Sequence, residues 1–275
     1  MAPGETLPIE LVWWNRVWLD EGYLVLAQAF DVEGRLLGQV DAIPAAGLYP
    51  TVLWYPRQSW RDRLALPIDA DAPAGAAQLL LALYPEGRPE ARLPVRQAAA
   101  APSDHLAAGR FMVRPASPPV VSPPPDAQPR GDGLGRGEPG GAWRDLARLE
   151  AYRLAPPPPG EAADWVLSLY WRASGPLPYD YTVFVHGLDA RGQTLLGADG
   201  PPAGGRFPSS LWAAGELIED RRPLSLPAGT SAAALRALRV GLYLPASGER
   251  LAARDAAGQA WPDEAIVLPL GEGEP

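Results

Sequence analysis

The sequence predicts an all-β chain of two tandem antiparallel β-sandwich domains, Ig-like or jelly-roll-like, on three observations. Residues 7–68 match residues 165–226 without a gap at a constant offset of 158, and 18 of those 62 positions are identical. Self-similarity of this kind marks two copies of one domain. Apolar residues recur with period two in short segments, the signature of strands with one buried face. Turns rich in Gly and Pro separate those segments, and helical periodicity is almost absent, as in sandwich domains. The repeat sets the expected boundaries: residues 1–114 as the first sandwich, 115–142 as a Pro/Gly-rich linker, and 143–275 as the second.

The first strand is expected at 7–15, with Ile9, Leu11 and Trp13 on one face and Glu10, Val12 and Trp14 on the other. Its counterpart puts Trp165, Leu167, Leu169 and Trp171 on the face of Trp13, which is therefore the core face. The second strand, at 23–30 and 181–188, ends in Asp31-Val-Glu-Gly34 and Asp189-Ala-Arg-Gly192. Asp caps local amides and Gly accepts positive φ, so both are tight hairpins. Return strands at 36–40 and 194–198 lead into the longest repeated loop, Asp41 to Trp54 and Asp199 to Trp212, where Asp, Pro, Gly, Pro and Leu-Trp keep register. Ordered loops of this length are functional or packed on their own side chains. Trp54 and Trp212 are expected to plug the ends of the two cores, since aromatic burial dominates core energetics.

Strands follow at 60–68 and 218–226, each containing Asp-Arg (Asp62-Arg63, Asp220-Arg221), then at 78–84 and 238–243, with last strands at 111–113 and 265–270. The alanine-rich stretch 98–108 reads equally as a short helix or a loop, because Pro102 falls inside it. Residues 147–154 give the second copy a further apolar strand for which the first copy, starting at Met1, has no room. An unpaired sheet edge is therefore expected in the first domain.

Composition narrows the function. The chain has no Cys, which excludes disulfides, thiol catalysis and zinc–thiolate sites. Its net charge is −8, all 24 basic residues are Arg, and they form no basic cluster able to track phosphates. Nucleic-acid binding is thus not expected, nor is contact with an anionic membrane surface. The N-terminus lacks a cationic segment followed by an apolar run, and no transmembrane segment is expected in this chain.

His186 lies three residues before Asp189 and near Asp199 in sequence, a conceivable metal or acid–base set, but its first-copy equivalent is Gln28 and a hydrogen-bonded strand histidine is the simpler reading. His105 has no counterpart. Asp41 and Asp62, like Asp199 and Asp220, flank the long loop and would suit a glycosidase pair if they faced each other. Carboxylates at strand exits more commonly accept backbone N–H bonds, and loop oxygens would also suit Ca²⁺. No nucleophile elbow, P-loop, dinucleotide fingerprint or His-Glu-x-x-His motif occurs, so neither cofactor nor metal is expected. The aromatic residues Trp14, Trp18, Tyr55 and Trp60 align with Arg172, Pro176, Ala213 and Ile218. Large rings confined to one copy suit stacking on sugar faces, or covering the edge left by the missing strand; the two readings stand level.

The second copy resembles the soluble C-terminal domain of some bacterial polytopic membrane glycosyltransferases of the dolichyl-phosphate-mannose mannosyltransferase type. The resemblance is carried by Leu169-Tyr-Trp-Arg-Ala173, Asp180-Tyr-Thr-Val-Phe-Val-His186, Asp199-Gly-Pro-Pro202, Trp212 with Gly215-Glu216, Asp220, Val240-Gly-Leu-Tyr243 and Gly248-Glu-Arg-Leu251. The first copy keeps only Tyr23, Asp41, Trp54, Asp62-Arg63 and Leu83-Tyr84. The resemblance implies an extracytoplasmic or cell-surface β-sandwich whose partner is a glycan or a membrane glycosyltransferase, catalysis belonging to the membrane part. The expected function is a non-catalytic glycan-binding or assembly module. Its alternatives are a structural accessory domain of a glycosyltransferase system and a glycoside hydrolase using the loop carboxylates.

Overall fold

The computed structural model describes residues 1–96, 101–114, 122–139, 141–156 and 165–270. They form strands joined by turns and short 3-10 segments, and the strands assemble into antiparallel sheets that divide between two compact units, Met1–Ser117 and Pro118–Pro275.

The first unit holds β1 (Thr6–Trp14), β2 (Tyr23–Asp31), β3 (Leu36–Ala42), β4 (Ser59–Pro67), β5 (Gly75–Pro85) and β6 (Leu106–Val113). β1 and β4 make a two-stranded sheet in which Ile9 faces Leu64 and Trp13 faces Trp60. The other sheet has the order β3-β2-β5-β6. Ile9, Leu64 and Leu66 of one sheet and Val25, Ala27 and Leu81 of the other share one core, so the pair is a sandwich.

The second unit holds β7 (Gln128–Gly137), β8 (Trp143–Ala155), β9 (Trp165–Ala173), β10 (Thr182–Leu188), β11 (Thr194–Gly197), β12 (Leu217–Leu224), β13 (Ala237–Tyr243), β14 (Ala252–Arg254) and β15 (Ile266–Pro269). Its sheets run β12-β9-β8-β7-β14 and β11-β10-β13-β15. Trp171, Leu149, Val185, Leu238 and Val240 lie in their common core, each fully buried. Along β12 burial alternates residue by residue, with Ile218, Asp220, Arg222 and Leu224 inward, as the period-two pattern requires.

The stretch expected to be a linker is not linker throughout. Residues 128–137 form β7, which pairs with β8 and β14 in the second unit and buries Leu134 completely. Its glycines explain both the misleading composition and the pairing. A Cβ at Gly135 would lie only 2.0 Å from the Arg144 carbonyl, so the close backbone approach of β8 excludes a larger residue there, and one at Gly133 would lie 2.3 Å from the Asp145 carboxylate, which would have to move. Of the alanine-rich stretch, 106–108 belong to β6 and 101–105 are irregular but for a bridge between Ser103 and Val95, while 97–100 lie outside the described residues.

Repeat alignment pairs β1 with β9, β2 with β10, β3 with β11, β4 with β12, β5 with β13, and β6 with β15. The place of β14 is taken by residues 93–95: Leu93 N–H donates to Leu83 O at 2.8 Å as Leu251 N–H donates to Leu242 O at 2.8 Å. β7 and β8 have no counterpart among the described residues of the first unit, so two strands are lacking where one was expected. The consequence is visible in burial. Trp165, Leu167, Leu169 and Trp171 of β9 are all buried, whereas of Leu7, Ile9, Leu11 and Trp13 on β1 only Ile9 is.

Candidate functional site

The long loop is locked in both units by the same contacts. Asp62 Oδ1 accepts the Ala45 N–H at 2.9 Å, and Asp220 Oδ1 accepts the Ala203 N–H at 2.9 Å. Thr51 Oγ1 accepts the Tyr23 N–H and Ser209 Oγ accepts the Tyr181 N–H, each at 2.8 Å. Trp54 Nε1 donates to Tyr49 O at 3.0 Å and Trp212 Nε1 donates to Phe207 O at 2.8 Å, with both rings almost fully buried. The repeated Asp and Trp therefore have structural tasks in both units. Thr51 and Ser209 carried no warning in the sequence beyond sharing a hydroxyl at one register position.

The carboxylates flanking the loop are occupied in the same way. Asp62 is 2% exposed and also takes the Trp13 indole N–H at 3.3 Å. Asp41 accepts the Tyr84 hydroxyl at 2.7 Å and a Gln39 amide N–H at 2.8 Å. Burial and this hydrogen bond to a carboxylate push the Tyr84 phenol up to about 12. Asp199 accepts the Val185 N–H at 3.2 Å and lies 3.4 Å from His186 Nε2. Asp189 instead closes its hairpin, accepting the N–H groups of Arg191 and Gln193, as Asp31 does for Glu33 and Arg35. Among the described residues no group of three or more His, Asp or Glu is placed to hold a metal ion.

In the second unit the adjacent Arg is not the partner of the loop Asp. Arg222, two residues on and so on the same face of β12, sends Nε to Asp220 Oδ2 at 2.9 Å and its other nitrogens to the carbonyls of Ala198, Gly200 and Pro201. Both side chains are nearly sealed from water. Burial pushes the Asp220 carboxyl up despite the opposing Arg222 charge and the Ala203 amide. The first unit has Leu64 at the position of Arg222, and Arg63 turns outward toward Glu10.

The aromatic set divides. Trp60 shares the inward face of β4 with Asp62, Leu64 and Leu66 and packs 3.9 Å, centroid to centroid, from Trp54, so it belongs to the core end and not to a surface platform. Its place on the inward face follows from period two, which the sequence already displayed, and the strand register sets it opposite Trp13. Trp14, Trp18 and Tyr55 are 61%, 60% and 55% exposed. Trp18 and Tyr55 meet edge to face with centroids 4.9 Å apart. They come from two segments, the connection after β1 and the turn before β4, which Asn15 ties together: its Nδ2 donates to Trp54 O at 3.2 Å and its carbonyl accepts the Arg57 N–H at 2.6 Å. Asn15 is itself 8% exposed, and Arg57 adopts φ +67, a left-handed backbone uncommon outside Gly and Asn. The second copy has Ala173 in place of Asn15, so the repeat gave no sign of this brace.

A scan against protein-family models gives no match to this chain, and a search of the curated proteins likewise gives none.

Proposed function

We propose that the chain is a non-catalytic glycan-binding module in which Trp18 and Tyr55 form the stacking surface, to which the exposed Trp14 at the end of β1 adds a further ring. The observation that carries this reading is three large rings more than half exposed in the first unit, two of them in mutual contact on segments braced by a buried Asn. Leaving such rings in water is costly unless a ligand covers them, and flat apolar faces edged by polar groups suit the faces of sugar rings. Arg16 lies 5.8 Å over the Trp14 ring, and Arg57 and Gln58 belong to the same turn, so hydrogen-bonding groups are at hand for hydroxyls. The resemblance of the second copy supports an extracytoplasmic or cell-surface setting. A hydrolase reading gains nothing from the geometry, because Asp41, Asp62, Asp199 and Asp220 all accept structural hydrogen bonds. An assembly role has one specific observation in its favour, the open edge of β1.

The test is a glycan array on the purified chain followed by titration of any hit into Trp18→Ala and Tyr55→Ala. Both substitutions should abolish measurable binding while shifting stability by less than about 0.5 kcal/mol, the range of surface changes. An array with no hit, or full affinity in both variants, would overturn the reading.

A further inference from the structure

We propose that the first unit completes its sandwich by accepting an extended strand from a partner protein, antiparallel to β1 along its open edge. Three observations converge on that edge. First, β1 pairs only with β4 among the described residues, whereas its counterpart β9 is flanked by β12 and β8. The backbone direction is set by Asn15, whose N–H and C=O both point toward the β4 side, to Gln58 and Arg57. Alternation along an antiparallel strand then aims the N–H and C=O groups of Glu10, Val12 and Trp14 at the vacant side. Unpaired groups in a row are a template for a further strand.

Second, an apolar groove of about 320 Å³ opens beside this edge. It is lined by Leu11, Val12 and Trp13 of β1, by Leu81 and Leu83 of β5, and by Leu93. In the second unit β8 and β7 fill the corresponding interval between β9 and β14.

Third, that unit shows which chemistry the occupant needs. β8 sets Leu149 opposite Trp171, Tyr152 opposite Leu169 and Leu154 opposite Leu167, and thereby seals β9. The equivalent acceptor positions are Trp13, Leu11 and Ile9. The partner strand must therefore present large apolar side chains at these three places, with one bulge residue between the first two, as Glu150 is in β8. Pro8, with no N–H to offer, limits pairing to the part of β1 from Ile9 onward. The proposal does not depend on the glycan reading, since Trp18 and Tyr55 lie outside β1.

The test uses the whole chain and a synthetic peptide with the sequence of β8, Trp143–Ala155, followed by amide hydrogen exchange. The peptide should slow exchange at Glu10, Val12 and Trp14 at least about tenfold, by adding a pairing partner to exposed amides. A control peptide carrying Asp at the positions of Leu149, Tyr152 and Leu154 should have no effect. Val12→Pro, which removes an N–H aimed at the vacant side, should abolish protection, and Trp18→Ala should leave it intact. Unchanged exchange with the β8 peptide would overturn the proposal, as would equal protection by the control. Protection of β1 that rises with protein concentration and without peptide would also overturn it, by making a second copy the occupant. If Val12→Pro fails to fold, the contrast between the two peptides on the unaltered chain still decides.

Discussion

Asp62 Oδ1 holds the backbone N–H of Ala45 at 2.9 Å, and Ala45 is kept in a left-handed backbone with φ +54. The second unit repeats the arrangement with Asp220 and Ala203, φ +48. The carboxylate thus fixes a conformation that a residue with a Cβ disfavours by about 1–2 kcal/mol. At the next position the units differ: Ala46 has φ +53, while its counterpart is Gly204, φ +66. Ala46→Gly should therefore stabilise the first unit by about 0.5–1 kcal/mol, the relief of backbone strain exceeding the added entropy of the unfolded chain. Urea denaturation of the full chain checks this, and a lower midpoint would refute it.

Arg222 Nε donates to Asp220 Oδ2 at 2.9 Å, and both partners are almost inaccessible to water. Arg222→Leu, which reproduces the first unit's Leu64, should cost the second unit about 3–5 kcal/mol at neutral pH by leaving a buried carboxylate without its cation. The pH dependence has a definite sign. The folded Asp220 carboxyl already titrates above its ordinary 3.8, so its protonation stabilises the fold; that contribution is full below 3.8 and is lost as pH rises through the folded value. Removing Arg222 raises the folded value further. The variant's deficit should accordingly shrink as pH falls toward that of the free carboxyl, and a deficit that stays constant or grows on acidification would contradict the assignment.

Glu150 behaves in the opposite sense. Arg172 grips it with two hydrogen bonds, Nε to Oε1 at 2.8 Å and Nη2 to Oε2 at 2.7 Å, and holds its carboxyl below the ordinary 4.5. The stability this pair contributes is present above pH 4.5 and is lost as pH falls through the lowered folded value. Arg172→Gln should remove that acid-side slope, read as the difference between urea midpoints at neutral and acid pH. An unchanged slope would mean that Glu150 is not the group responsible.

The fold was legible because period two and a gapless internal repeat act locally: Ile218, Asp220, Arg222 and Leu224 alternate inward along β12 as the pattern demands. β7 was not legible, since Gly131, Gly133 and Gly135 make a strand look like a linker; the approach of Asp145 and Arg144 explains Gly133 and Gly135, and Gly131 adopts a positive φ of 144. The aromatic platform was half legible. Alternation placed Trp14 outside, yet the same alternation along β4 places Trp60 inside with Asp62. Asn15, which braces the Trp18–Tyr55 pair, was invisible because its partners Trp54 and Arg57 are some forty residues away and Ala173 replaces it in the second copy. Tertiary hydrogen bonds of this kind leave no periodic trace.

Tyr84 offers a direct probe of the loop entrance. Its phenol, buried and donating to Asp41, is pushed from 10.0 up to about 12. A raised folded value means that this contribution is complete below pH 10 and is lost as pH rises through about 12. In an ultraviolet titration of tyrosinate, Asp41→Asn should bring this ionisation back toward 10, because it deletes the negative charge that opposes a second one. An unaltered titration would sever the link between Tyr84 and Asp41.

Trp13 and Trp171 occupy the same repeat position but should not cost the same to remove. Trp171 is fully buried beneath β8, with Leu149 opposite it, and Trp171→Ala should destabilise the second unit by about 3–5 kcal/mol through lost burial and the cavity left behind. Trp13 is only partly buried, since no described strand covers its outer side, though it touches Trp54 at 5.6 Å and bonds Asp62. Less apolar area is withdrawn from water there, so Trp13→Ala should cost the first unit about 1–2 kcal/mol by area. The difference is the stability that the absent strand fails to supply. Addition of the β8 peptide should raise the cost of Trp13→Ala toward that of Trp171→Ala, because pairing at β1 would seal the indole as β8 seals Trp171. Equal costs for the two substitutions without peptide would show that the first unit's edge is already closed.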